Sequence, residues 1–143
     1  EMEVSGEMIH QFPDSVKLIC EAGTGYNNID LDAAKEKKIT VCNIPSYSSK
    51  RVAHTAIMMI LNLSSTIQTQ MKMLGNGNHD NFTHNLQVPH VEVNGKTLGV
   101  VGAGHIGKNV IKIAQASDMD IMVYTRTPRE DHDGIHYVSL DTY

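Results

Sequence analysis

The sequence feature that most limits the fold of this chain is a glycine motif at residues 102–107, which reads G-A-G-H-I-G and has the spacing G-x-G-x-x-G. An apolar run at 97–101 precedes the motif, an amphipathic segment from 105 to about 117 follows it, and a second apolar run comes at 121–124. A strand, a glycine turn, a helix and a strand in this order predict a βαβ unit whose turn binds the pyrophosphate of a dinucleotide.

Each glycine of the motif has a separate physical role in such a unit. Gly102 makes the tight turn, Gly104 lets the backbone approach a pyrophosphate, and Gly107 allows the helix to pack closely on the strand. The N-terminus of the helix adds free N–H groups and the positive end of its dipole. The alternative is a glycine turn in a βα unit that binds no ligand, but the surrounding pattern favours the dinucleotide site.

The end of the second predicted strand indicates which dinucleotide is bound. An acidic residue normally stands there to hold the ribose hydroxyls, but this chain has Thr125, Arg126 and Thr127. Asp118 and Asp120 precede the strand and are interpreted as turn residues. A guanidinium with two hydroxyls suits a 2′-phosphate, so NADP is favoured over NAD. The alternative is that the Arg126 side chain is simply solvated.

Length and composition limit the remaining possibilities. The chain has 143 residues, of which 41% are hydrophobic and 20% charged, and its formal net charge is −4. These values are typical of a globular protein with room for one full core, and they do not suit a nucleic-acid partner. The longest apolar run, residues 56–61, is far too short to cross a membrane.

The cysteines and histidines predict neither a disulfide framework nor a metal site. Cys20 and Cys42 lie in apolar runs and no signal peptide opens the sequence, which predicts buried, reduced thiols in a cytoplasmic protein. No two of the 8 histidines form an i, i+4 pair on a predicted helix, so no metal ligands are expected.

The rest of the chain predicts alternating helices and strands. Ser5 and Asp30 are suited to N-cap two short helices, and an apolar, β-branched run follows each helix as a strand. The predicted elements before the glycine motif are a helix at 5–12, a strand at 16–20, a turn at 22–28, a helix at 30–38, a strand at 39–43, one long helix at 48–73 and an irregular connection at 74–93. A third strand after the motif is predicted to begin near 137–138.

Four blocks of sequence stand out in order along the chain. They are K-L-I-C-E-A-G-T-G-Y-N-N-I-D at 17–30, I-T-V-C-N-I-P at 39–45, R-V-A-H at 51–54 and G-K-T-L-G-V-V-G-A-G-H-I-G at 95–107. Together they resemble the D-isomer-specific 2-hydroxyacid dehydrogenases over residues 16–127. The resemblance implies an α/β chain with part of a flavodoxin-like substrate domain at 1–47, a long interdomain helix and connection at 48–94, and the first half of a Rossmann NAD(P)-binding domain at 95–143.

The resemblance also implies roles in substrate binding and catalysis. In the family, the turn that matches residues 22–25 offers backbone N–H groups to the substrate carboxylate, so Thr24 and Gly25 are the substrate-binding candidates. The family's catalytic Arg, the Glu that orients its base and the His that transfers the proton lie beyond Tyr143. No catalytic residue is therefore expected within this stretch. One departure is His54, which stands where the family usually has Glu.

The cofactor-binding candidates combine the motif with the resemblance. The residue that matches Val52 lies near the nicotinamide in the family, and His105 and Ile106 lie under the pyrophosphate. The full set of candidates is Val52, Gly102, Gly104, His105, Ile106, Gly107, Thr125, Arg126 and Thr127.

These features predict a fragment of an NADP- or NAD-dependent dehydrogenase. Hydride would pass between the nicotinamide C4 and the C2 of a small 2-hydroxy or 2-oxo acid, and this stretch alone is expected to be inactive. The long helix is expected to contribute to a homodimer. One alternative is a non-catalytic, dinucleotide-sensing relative that acts as an interaction module. Another is a different Rossmann enzyme, which the block at 22–30 argues against.

Overall fold

The computed structural model describes residues 2–83 and 85–142, so Glu1, His84 and Tyr143 lie outside the described part of the chain. The chain folds into two compact units, residues 1–48 and residues 49–143. Helices alternate with parallel strands in both units, which confirms the predicted α/β class. Within the described ranges, no helix is long and apolar enough to span a membrane.

The first unit is built on a two-stranded parallel sheet. Ser5 and Asp30 cap its two helices by accepting hydrogen bonds from backbone N–H groups, at 3.4 Å and 3.0 Å, which confirms both predicted N-caps. Its elements are α1 (Gly6–His10), β1 (Leu18–Cys20), α2 (Leu31–Glu36) and β2 (Thr40–Cys42). Its core is formed by Ile9, Ile29, Ala33, Ala34 and Ile39.

The second unit is built on a three-stranded parallel sheet in the order β3-β4-β5. Helix α6 connects β3 to β4 and packs against both strands, and α3 packs against α6. The elements are α3 (Ser49–Ser64), α4 (Ile67–Gly75), α5 (Asp80–Thr83), β3 (Thr97–Val101), α6 (His105–Gln115), β4 (Asp120–Tyr124), β5 (Ile135–Tyr137) and a 3-10 turn (Leu140–Thr142). The core is formed by Ala103, Ile111, Ala114, Ile121 and Val123.

The single long helix predicted over 48–73 is wrong, because the structure divides it into α3 and α4. Thr66 between them has left-handed backbone angles, with φ 49° and ψ 36°. Its hydroxyl donates a hydrogen bond to the carbonyl oxygen of Pro89, and the N–H of Val91 donates to the carbonyl oxygen of Ser64 at 2.8 Å. Both bonds join the junction of the two helices to residues far along the chain, so tertiary contacts hold the break at Thr66.

The connection predicted to be irregular over 74–93 contains the short helix α5. Asn81 organises the segment from inside, since it is only 6% exposed. Its side-chain oxygen accepts hydrogen bonds from the backbone N–H groups of Gln87 at 2.7 Å and Val88 at 3.2 Å. A buried amide therefore shapes a segment in which glycine and proline were the only local signals of structure.

The ends of the second unit's strands differ slightly from the prediction. Asp118 is a turn residue, as predicted, with a φ of 54°. Asp120, also predicted to lie in the turn, is instead the first residue of β4 and pairs with Thr97. The third strand begins earlier than predicted, at Ile135, because it pairs there with Ile121.

Both cysteines are exposed, so the prediction of buried thiols is wrong. Cys20 and Cys42 point to the same face of the two-stranded sheet as Leu18 and Thr40, and this face is solvated. The alternate residues Ile19 and Val41 pack against the core. In both strands a residue that faces the core alternates with residues on the solvated face, and a run of apolar residues does not show which face is covered.

Candidate functional site

Gly102 ends β3 with a backbone turn that only glycine adopts readily. Its φ is +94°, a region in which side chains with a Cβ are strained. Its N–H donates a hydrogen bond to the carbonyl oxygen of Tyr124 at 2.8 Å. The turn is therefore attached to the end of the neighbouring strand β4.

Gly107 allows the first turn of α6 to lie directly on this glycine turn. A Cβ atom built on Gly107 would be 2.1 Å from the carbonyl oxygen of Gly102 and 3.5 Å from Cγ1 of Val100. The first distance is far too short for any side chain. The close helix–strand packing assigned to Gly107 is present in the structure.

Gly104 stands at the N-cap of α6 with open space beside it. A Cβ atom at Gly104 would meet no heavy atom within 4 Å among the described residues. His105 and Ile106 follow in the first turn of α6, where backbone N–H groups have no intrahelical partner. Open space, free donors and the positive helix end together fit the pyrophosphate of a dinucleotide.

Thr125, Arg126 and Thr127 lie at the carboxyl end of β4, beside the glycine turn. The hydroxyl of Thr125 donates to the carbonyl oxygen of Thr127 at 2.7 Å, which holds this short segment in a turn. Thr125 and Arg126 line a cavity of about 340 Å³. The other lining residues are Tyr124, Pro128, Arg129, Tyr137, Val138, Ser139 and Leu140.

Arg129 is a candidate that the sequence analysis missed. It lines the same cavity as Arg126 and so places a second cation there. The sequence T-R-T-P-R at 125–129 shows a second arginine after the strand, but its place in this cavity depends on the turn of the chain near Pro128. Two guanidinium groups and hydroxyls in one cavity suit a phosphate group.

Asp131 anchors the strand β5, which forms one wall of this cavity through Tyr137. Its carboxylate accepts hydrogen bonds from the backbone N–H of Tyr137 at 2.7 Å and from Nδ1 of His136 at 3.0 Å. The backbone hydrogen bond, followed by the histidine, holds the pKa of Asp131 below its ordinary value. This carboxylate therefore stays charged and keeps β5 in place.

The predicted substrate-binding residues lie in the first unit, in the turn after β1. The Thr24 hydroxyl donates to the carbonyl oxygen of Ile44 at 3.0 Å, and the side-chain amide of Asn43 donates to the carbonyl oxygen of Thr24 at 2.8 Å. The N–H of Ile44 donates to the carbonyl oxygen of Gly23 at 3.0 Å. The turn is thus held by its backbone and its threonine hydroxyl, and Gly25 is exposed.

The structure brings together the predicted residues at 102–107 and 125–127, at the adjacent carboxyl ends of β3 and β4. Val52 lies in the first turn of α3 and is 43% exposed. A larger apolar groove of about 520 Å³ lies elsewhere in the second unit, against α3, α4 and α6. None of the residues that line this groove belongs to the glycine turn, and few of them offer polar groups to a dinucleotide.

Within residues 2–83 and 85–142, no group of three or more His, Cys, Asp or Glu side chains could hold a metal ion.

Three known proteins show what this chain is similar to. A hydroxypyruvate reductase of Blautia hydrogenotrophica is 31% identical over 148 residues, covering 94% of this chain and 43% of that protein. A D-lactate dehydrogenase of Aquifex aeolicus, complexed with NAD and lactic acid, superposes with a TM-score of 0.83 and 34% identity, covering 98% of this chain and 41% of that chain. An acyclic imino acid reductase complexed with NADPH and D-Arg superposes with a TM-score of 0.80 and 26% identity. The match covers 97% of this chain and 44% of that chain.

The chain spans less than half the length of these relatives. A family model described as the D-isomer specific 2-hydroxyacid dehydrogenase catalytic domain matches residues 1–128. The matched stretch covers nearly all of the chain, including the glycine turn and the strand end beside it. This chain belongs to the family of D-isomer specific 2-hydroxyacid dehydrogenases.

Proposed function

We propose that this chain is the part of an NAD(P)-dependent D-2-hydroxyacid dehydrogenase that begins its dinucleotide site. The observation that carries the proposal is the glycine turn at 102–107, where the positive φ of Gly102, the contact at Gly107 and the open space at Gly104 occur together. The three relatives are named as reductases or a dehydrogenase, which favours an enzyme over a non-catalytic interaction module.

In this proposal the dinucleotide lies across the carboxyl ends of β3 and β4. Its pyrophosphate is held over Gly104 by the first-turn N–H groups of α6, including those of His105 and Ile106. Its adenosine ribose lies near Thr125, Arg126 and Thr127, and Val52 lies near the nicotinamide. When bound, the cofactor supplies or accepts the hydride that passes between its C4 and the C2 of a small 2-hydroxy or 2-oxo acid.

The substrate carboxylate would be held by the turn that contains Thr24 and Gly25. Backbone N–H groups in a rigid turn are good hydrogen-bond donors to an anion, because the turn need not reorder when the ligand binds. The hydroxyl of Thr24 is already engaged with the carbonyl of Ile44. The proposal therefore assigns substrate binding to the backbone of this turn, and the threonine side chain holds the turn in shape.

The coenzyme is proposed to be NADP(H) in preference to NAD(H). Arg126 and Arg129 line one cavity at the end of β4, and the residue at the usual acidic position is Thr125. A 2′-phosphate would gain charge-assisted hydrogen bonds there. The ribose hydroxyls of NAD(H) would find no carboxylate among residues 125–127.

A homodimer is the proposed assembly, with α3 at the interface. Met59 and Leu63 lie one turn apart on α3 and are 56% and 78% exposed. Met58, on the adjacent face, is 56% exposed. A helix with this much exposed apolar surface is suited to an isologous contact, in which both copies bury the same patch.

The dinucleotide proposal can be tested with two glycine substitutions. Gly104 and Gly75 both have open space around the Cβ position and lack a positive φ, so alanine is tolerated structurally at each. Gly104→Ala places a methyl group where the pyrophosphate would approach, and we expect it to weaken NADPH binding by about tenfold or more, or about 1.4 kcal/mol. Gly75→Ala, in α4, is the matched control and should leave the affinity unchanged.

Calorimetric titration of NADPH into the wild type and both variants provides the measurement. Saturable binding that is lost only in Gly104→Ala supports the proposal. Wild-type protein that binds neither NADPH nor NADH, or equal affinity in all three proteins, contradicts it.

A further inference from the structure

Cys20 and Cys42 form a close pair of thiols at the end of the first unit's sheet. They stand opposite each other in the parallel register of β1 and β2. Their sulfur atoms are 3.2 Å apart, within hydrogen-bond distance for thiols, and both residues are exposed. Nothing in the proposed dehydrogenase chemistry uses either thiol.

The backbone geometry of this pair suits a disulfide. Neighbouring strands lie about 4.8 Å apart, and a disulfide usually joins Cα atoms separated by about 4.4–6.8 Å. Opposite residues in a parallel pair therefore satisfy the distance requirement without moving the strands. To reach the usual S–S bond length of about 2.05 Å, the sulfur atoms must approach by roughly 1 Å, which small side-chain rotations provide.

We propose that Cys20 and Cys42 are a redox modification site that closes to an intramolecular disulfide when a small-molecule disulfide such as oxidised glutathione is present. The site is open on one side, since Cys42 also lines a surface cavity of about 310 Å³ with Tyr26, Leu31, Val41 and Asn43. Exposure matters because the oxidant must reach a sulfur atom before the second thiol can complete the exchange.

The reaction proceeds in two exchange steps. One of the two thiols, for example Cys20, attacks as its thiolate one sulfur of oxidised glutathione, the S–S bond of glutathione breaks, and one glutathione leaves as a thiolate. Cys42 then loses its proton and attacks the Cys20 sulfur, which releases the second glutathione. The two cysteine thiols are oxidised, oxidised glutathione is reduced to two glutathione molecules, and these take up the two protons.

The hydrogen bond between the thiols raises the pKa of the Cys42 thiol, with desolvation as a smaller cause. The two thiols share this hydrogen bond, so either sulfur can make the first exchange and the other then completes the disulfide. The exchange needs a thiolate as the attacking group, so the rate should rise with pH.

The disulfide would lie at the base of the turn after β1. The N–H of Glu21, next to Cys20, donates to the carbonyl oxygen of Cys42 at 2.8 Å. Just beyond the two strands, the N–H of Ile44 donates to the carbonyl oxygen of Gly23. Any effect on substrate binding rests on the proposed function of that turn, but formation of the bond does not, and the test below measures the bond alone.

Peptide mass analysis can detect the link directly. The folded protein is incubated with oxidised glutathione, free thiols are blocked by alkylation, and the protein is digested with trypsin without reduction. Cleavage after lysine separates Cys20, in the peptide 18–35, from Cys42, in the peptide 39–50. We expect these two peptides to be joined, at a mass lower by two hydrogen atoms than their sum, and to separate after treatment with dithiothreitol.

Two variants show whether the register causes the link. In Cys42→Ser, Cys20 should stop at the mixed disulfide with glutathione. The double variant Cys42→Ser with Thr40→Cys keeps two thiols on the same exposed face but moves one by two residues, which separates the Cα atoms by about 8 Å, too far for a bridge. It should carry glutathione on both thiols and form no link.

The proposal is overturned if the wild type carries only glutathione adducts, if its link joins two copies of the chain, or if the double variant closes as readily as the wild type. Substrate and coenzyme are absent throughout, so none of these outcomes depends on the dehydrogenase proposal.

Discussion

A methyl group on Gly107 would lie 2.1 Å from the carbonyl oxygen of Gly102. Gly107→Ala must therefore push α6 away from the glycine turn, and overpacking of this kind typically costs about 1–3 kcal/mol. We expect urea denaturation to give a correspondingly lower free energy of unfolding. Gly75→Ala, where the added methyl meets no described atom within 4 Å, should be neutral or slightly stabilising. A Gly107→Ala protein as stable as the wild type would contradict this account of the turn.

Arg126 is expected to distinguish the two coenzymes. Arg126→Ala should weaken NADP(H) binding by about one to two decades, because hydrogen bonds to a charged group contribute about 1.5–3 kcal/mol. NAD(H) has no 2′-phosphate, so its affinity should hardly change. Thr125→Asp should reverse the preference, since a carboxylate repels the phosphate and accepts from the ribose hydroxyls. Calorimetry with both coenzymes measures this, and equal losses for the two would show that Arg126 does not contact the phosphate.

Asp131 should make the second unit sensitive to acid. Hydrogen bonds from Tyr137 and His136 lower the pKa of Asp131 in the folded state. Its contribution is therefore fully present above the ordinary Asp value of about 3.9 and is lost as the pH falls through the lower folded-state pKa. Asp131→Asn should lower the urea midpoint at neutral pH and flatten its dependence on pH below about 4. Glu130→Gln, the same change of charge at the exposed neighbouring residue, should keep the wild-type profile.

Met59 should lie at the interface of the proposed homodimer. Met59→Glu places a charge on the exposed face of α3, where Met59 is 56% exposed, so the fold of one chain should be unaffected. In a dimer the same charge would be buried without a partner, which is costly. We expect light scattering to show a shift toward monomer for Met59→Glu and no shift for Gln11→Glu, an equally charged change at the end of α1. A wild type that is monomeric at all concentrations would rule out the assembly.

The 143-residue chain by itself should have no dehydrogenase activity. The family resemblance assigns the catalytic Arg, Glu and His to positions beyond Tyr143, and a developing alkoxide needs such groups for charge stabilisation and proton transfer. Mixing the purified chain with NADPH or NADH and glyoxylate, pyruvate or hydroxypyruvate should leave the nicotinamide absorbance constant. Steady consumption of the reduced coenzyme would show that the described residues carry catalytic groups of their own.

Local patterns were sufficient to predict the elements around the glycine motif. The strand at 97–101 agrees with β3, and the helix predicted from 105 ends within two residues of α6. Both depend on short-range signals, namely an apolar run, a glycine turn and a helical repeat. The N-caps at Ser5 and Asp30 were predictable for the same reason, since each is satisfied by a backbone N–H three residues away.

Features that depend on contacts between distant residues were not predictable from these patterns. The break at Thr66 is held by Pro89, which is 23 residues away in the sequence. Exposure of Cys20 depends on which face of the sheet is covered, and an apolar run does not show this. Arg129 joins the cavity because the chain turns after Pro128 and brings Tyr137 alongside. In each case tertiary structure decides what local propensity leaves open.

The hydrogen bond from Gly102 to Tyr124 joins the glycine turn to the end of β4 at a single point. Residues 125–127 begin just after that point and take no part in the pairing of β3 with β4. Selection for binding a differently charged ligand could therefore change these three residues while the glycine turn and the register of the sheet stay constant. In evolutionary terms the two parts of the site are separable modules, so coenzyme preference can diverge between close relatives through one or two codons.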